Sequence, residues 1–138
     1  MKRVSTWVNN WPTLLIRYVA EHEDSEFKWG TTDCVSFAAG GVEVMTGHNY
    51  MEQVPDYHTE EGSRAAFEAL GFKNVVEVAD FLFYRIKMPS RGTLVCRKFE
   101  TGRALGLCLG CVDVFMSPRG LTKINVELPE ASVIRWRI

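Results

Sequence analysis

The sequence holds no stretch approaching the ~18 to 20 consecutive apolar residues that a membrane helix requires, so no membrane segment is expected. It has no excess of one charge either: 16 Lys and Arg stand against 17 Asp and Glu, a formal net charge of -1. Its longest basic clusters are Met1-Lys2-Arg3 and Arg135-Trp136-Arg137. A nucleic-acid reader normally carries a basic face or tail, and no nucleic-acid partner is expected here. The N-terminal segment Met1 to Asn10 lacks the apolar run of a secretion signal. Residence in a cytosol, or assembly from one, is therefore expected, with Cys34, Cys96, Cys108 and Cys111 reduced. Internal repeats and low-complexity segments are absent. Histidine is scarce: the three are His22, His48 and His58, and none follows.

What is present describes one ordinary domain over residues 1–138, with 46% apolar content. A chain of this length buries roughly two thirds of its unfolded surface, so a core needs neither disulfides nor a structural metal. From Pro12 to Glu23, Leu14, Leu15, Tyr18, Val19 and His22 recur at spacings of 3 and 4, and Pro12 suits a first turn. A helix is expected there, with His22 at its C-terminal end where a cation complements the dipole. Thr31-Thr32-Asp33 supplies capping side chains ahead of Cys34, Phe37, Ala38, Val42 and Met45, and Thr46-Gly47 suits the exit. A second helix over 33–45 follows, and its Gly40-Gly41 pair marks a closely packed face. Thr59-Glu60-Glu61 opens a third, over 60–70, with Gly71 at the exit. Residues 74–84 fit either a short helix or a strand.

Beyond Arg91 the apolar period becomes two. Five short strands are expected: 93–99, 104–109, 112–116, 121–126 and 133–138. Between them lie Glu100-Thr101-Gly102, Gly110-Cys111, Ser117-Pro118-Arg119-Gly120 and Pro129-Glu130, which is turn chemistry. The fold class is α+β, with N-terminal helices packed on a bent antiparallel C-terminal sheet and the second helix central.

Cys34 is the first candidate for chemistry. A thiol in the first turn of a helix faces unpaired N–H groups and the positive end of the macrodipole, which can lower its pKa from about 8.5 toward 7. The plainer reading is a small apolar residue on a packed face. Trp29 is expected to be buried over this thiol. Cys108 and Cys111 have C-x2-C spacing, and a three-residue loop at 101–103 would put Cys96 directly across from Cys108. Core or turn thiols, a disulfide, and a metal site of Cys96, Cys108 and Cys111 are the three readings. His48 is expected to be solvated. His58 is the one histidine kept as a base for Cys34.

The run Phe27 to Phe37, with Asp33-Cys34-Val35-Ser36-Phe37 within it, resembles the Asp-Cys-Ser-Gly-Phe motif of papain-like peptidases of the NlpC class. In that class the cysteine opening the helix is the nucleophile and an antiparallel sheet follows. Met88-Pro89-Ser90-Arg91-Gly92-Thr93-Leu94-Val95 looks like the Pro-Gly-Asp-Leu-Val strand start of the class, with Thr93 in place of Asp. Ala104 to Gly110 is similar to its His-Val-Gly-Ile-Tyr-Leu-Gly strand, with Ala104 in place of the general-base His. A thiol nucleophile needs a hydrogen-bonded base, which alanine cannot supply.

A likeness over nearly the whole chain is to small proteins encoded in the tail-gene region of tailed phages and prophages. It rests on the order of Trp29-Gly30-Thr31-Thr32-Asp33-Cys34, Thr46-Gly47, Arg91-Gly92, Gly120-Leu121 and Arg135-Trp136-Arg137. This resemblance implies a tail tip or hub component made in the host cytoplasm and carried in the virion. Its partners would be other tail proteins, its fold a catalytically degenerate papain-like one, and no cofactor is implied. The strand 133–138 is expected to add to a partner's sheet edge. The alternative is an active cysteine hydrolase, a peptidoglycan endopeptidase or amidase, with Cys34 as nucleophile beside Asp33 and His58.

Overall fold

The computed structural model describes residue 1 and residues 6–128 and 132–138. The turn expected at Pro129-Glu130 lies outside these residues. Four α-helices come first: α1 Trp11–Glu21, α2 Cys34–Thr46, α3 Glu60–Ala69 and α4 Val75–Leu82, with a 3-10 turn at Tyr50–Gln53 between α2 and α3. Six strands follow among the described residues: β1 Tyr84–Ile86, β2 Leu94–Phe99, β3 Gly102–Cys108, β4 Val112–Ser117, β5 Gly120–Asn125 and β6 Val133–Arg137. The class is α+β and the sheet is antiparallel throughout, in the order β1-β6-β2-β3-β4-β5.

The helix boundaries follow local chemistry. Asp33 caps α2 by accepting from the Ser36 N–H, and Gly47 ends it in the left-handed region at φ 78°. Thr59 caps α3 through the Gly62 N–H. Residues 74–84 resolve into a helix and then a strand. Asn74 Oδ1 accepts from the Glu77 N–H at 3.0 Å, while Glu77 Oε2 accepts from the Lys73 N–H at 2.7 Å. That reciprocal arrangement holds the first turn of α4 against the β preference of Val75 and Val76.

The sheet's two faces alternate along each strand. Toward the helices point Leu94 and Cys96, Leu105 and Leu107, Val114 and Met116, and Trp136, which share one buried core with Leu15, Val19, Phe37, Val42 and Met45. Helix α2 is the central element. A Cβ on Gly41 would overlap Leu107 Cδ1, and one on Gly40 would overlap the Tyr18 hydroxyl, so the glycine pair lets the helix sit directly on β3 and α1. The opposite face holds Val95, Cys108, Asp113, Phe115 and Arg135, all buried. There Arg135 binds Asp113 through both carboxylate oxygens, at 2.9 and 2.7 Å, with Arg97 at 3.4 Å.

Two expectations about the sheet are corrected. The β2–β3 turn has two residues, Glu100 and Thr101, and the ladder resumes at Phe99↔Gly102, so Cys96 pairs with Leu105 and not with Cys108. An odd shift in register reverses faces, and Cys96 and Cys108 therefore lie on opposite sides of the sheet. The C-terminal strand is not an edge: β6 sits between β1 and β2, paired with β1 over Arg135 to Arg137 and with β2 over Val133 to Trp136, so it does not present a whole edge to a partner. No helix among the described residues is long and apolar enough to cross a membrane.

Candidate functional site

The site begins with the residue before the thiol. Asp33 is fully buried, and its carboxylate accepts three hydrogen bonds: from the Gly30 N–H at 2.7 Å, the Tyr57 hydroxyl at 2.8 Å and the Ser36 N–H at 2.9 Å. It thereby ties the loop before α2, the first turn of α2 and the segment after the 3-10 turn into one unit. Gly30 has φ 86°, and a Cβ there would collide with the Tyr57 carbonyl oxygen. The absence of a side chain at Gly30 lets this loop lie directly against the Tyr57 backbone. Burial and the Asp33 carboxylate together push the Tyr57 hydroxyl well above the usual phenol range, so it stays a donor.

Cys34 is half-buried in the first turn of α2 and is a free thiol. Burial raises its pKa most; hydrogen bonding from the Leu105 and Val35 N–H groups lowers it, and the neighbouring Asp33 and Cys96 raise it. The balance leaves the thiol pushed up to about 11, so it is protonated at neutral pH. The lowering expected from the helix terminus is thus overridden by desolvation. The Leu105 contact has a cause in the sheet. The β3–β4 ladder comprises Cys108↔Asp113 and Leu107↔Val114 and goes no further along β3, and past that fork the Leu105 N–H meets the thiol.

The residues expected to complete a nucleophile's surroundings lie elsewhere. Ala104 pairs with Arg97, which puts its Cβ on the sheet face away from α2. From the facing strands it is Leu105 and Cys96 that approach the thiol. Thr93 is buried, and its hydroxyl donates to the Ser90 carbonyl at 2.6 Å, closing the turn before β2. His58 is exposed, its Nδ1 lies beside Gly30, and it is not among the groups that act on the thiol. His22 Nδ1 lies 2.8 Å from the Tyr18 carbonyl in the last turn of α1, and its ring packs on Phe37. His48 packs edge-on against Tyr50 at 4.3 Å, half-buried where solvation was expected. Trp29 is only half-buried, edge-on to Phe27 at 4.9 Å, which corrects the expectation of a fully covered ring.

The remaining thiols do not gather. Cys96 is buried under the helices, Cys108 is buried on the opposite face with its sulfur accepting from the Gly110 N–H at 3.3 Å, and Cys111 is exposed in the turn after β3. All four cysteines are free. Among the described residues no three His, Cys, Asp or Glu side chains cluster as a metal would require, so the site of Cys96, Cys108 and Cys111 is not formed.

Periodicity did not reveal two clefts that flank α2. One is wholly apolar, lined by Val35, Ala39 and Val42 of α2, Val78 of α4, Leu94 of β2 and Leu105 of β3, and contains about 50 Å³ of space open to water. The other is polar, about 300 Å³, and runs along Ser36, Gly40 and Glu43 against Asn49, Asp56 and Tyr57. Small residues of α2 border both clefts, Ala38 and Ala39 the apolar one and Gly40 the polar one.

The chain matches no curated protein and no solved structure. A family match covers residues 6–138, and the chain belongs to DUF6950, a domain of unknown function.

Proposed function

We propose that this chain is a structural and assembly component of a phage tail, in the tail tip or hub region, built on a papain-like (NlpC-type) fold that has lost its catalytic base. Other tail proteins are its partners, and the virion is its destination after synthesis in the host cytoplasm. The observation that carries the non-catalytic part is the state of Cys34: a desolvated, protonated thiol set against the Leu105 backbone, acted on by no imidazole among the described residues. A cysteine nucleophile needs the opposite, a thiolate held by a base that later protonates the leaving group. The scaffold reading is supported by a cysteine-opened helix at the centre of the fold, packed on an antiparallel sheet with the thiol against β3. The tail reading rests on the motif order from Trp29 to Arg137.

A second reading is an active hydrolase, a peptidoglycan endopeptidase or amidase. The N–H groups of Leu105 and Val35 at the sulfur favour it, since donors so placed stabilise a thiolate. Incubation of the purified chain with muropeptides and with casein separates the two. The expected result is no cleavage, together with infective particles from phage carrying Cys34→Ala. Hydrolysis by the wild type that Cys34→Ala abolishes would overturn the proposal, and His58→Ala would then show whether that ring swings in as the base.

A further inference from the structure

We draw no further inference here: the strongest candidate, the apolar cleft between α2, α4 and strands β2 and β3, has Met1 among its lining residues, and nothing in the structure shows what covers it.

Discussion

Replacing Asp33 with alanine removes the acceptor for three donors at once, the Gly30 N–H, the Ser36 N–H and the Tyr57 hydroxyl. Loss of a helix cap alone costs about 1 kcal/mol, and each buried donor left without a partner adds about 1 to 3 kcal/mol. The three are coupled through one fully buried carboxylate, so simple addition overshoots, and about 3 to 5 kcal/mol is expected for Asp33→Ala. At roughly 3 °C of melting temperature per kcal/mol for a domain of this size, that is a fall of about 10 to 15 °C. Asp33→Asn keeps one oxygen for the Ser36 cap but turns an NH2 group toward the remaining donors, and should lose about 1 to 2 kcal/mol. Tyr57→Phe removes a single donor and should lose about 1 kcal/mol. Thermal unfolding of the three variants, followed by circular dichroism, gives the order directly. If Asp33→Ala melts with the wild type, the carboxylate does not hold the α2 entrance together and the reasoning fails.

Glycine substitutions separate steric overlap from backbone strain. Gly47 has φ 78°, and a Cβ added there would meet nothing within 4 Å, so Gly47→Ala should cost about 1 kcal/mol by chemical denaturation. Gly30→Ala should cost about 2 to 4 kcal/mol because the same strain is joined by collision with Tyr57; equal losses would show that the loop yields freely. On the far face of the sheet, Asp113→Ala removes the carboxylate that takes two hydrogen bonds from the buried Arg135 guanidinium and should cost about 3 to 5 kcal/mol, whereas Asp113→Leu with Arg135→Met should recover most of it. A double variant as unstable as the single one would contradict that account.

What was legible in the sequence was local. Helix α2 could be read because Asp33 and Gly47 bound it and Gly40-Gly41 announces a close neighbour, and all four positions do what their chemistry requires. Helix α4 was obscured by Val75-Val76, although Asn74 and Glu77 at the capping spacing were there to be seen. Several positions on which the expected tail-region resemblance rests are ones the fold depends on: Gly30 against Tyr57, Gly92 at φ 85° against Trp11, and Trp136 in the core with its Nε1 donating to Asp80 at 2.9 Å. A motif order built from such residues carries architecture more strongly than chemistry. What was not legible depends on distant pairing. The insertion of β6 between β1 and β2 joins residues far apart in the chain, and no period reports it. Placing the turn at 101–103 and not at Glu100-Thr101 shifts the register by three residues, enough to put Cys96 across from Cys108 in place of Leu105. For Cys34 the helix terminus gives one sign and the cover from β2 and β3 gives the other, and only the assembled fold says that burial wins.

The protonated state of Cys34 is the central claim, and its alkylation by iodoacetamide as a function of pH measures it directly, with mass spectrometry resolving Cys34 from the exposed Cys111. Only thiolate reacts, so a thiol pushed up to about 11 should react on the order of 100-fold more slowly than a free cysteine near pH 7.5. Because the raised pKa lies above the range, the rate should climb close to tenfold per pH unit from about 7 to 10, with no plateau. Cys34→Ser should remove this labelled peptide and leave the others unchanged. A rate for Cys34 that is flat between about pH 7 and 9, with its inflection below that range, would mean an activated thiolate and would contradict the non-catalytic account.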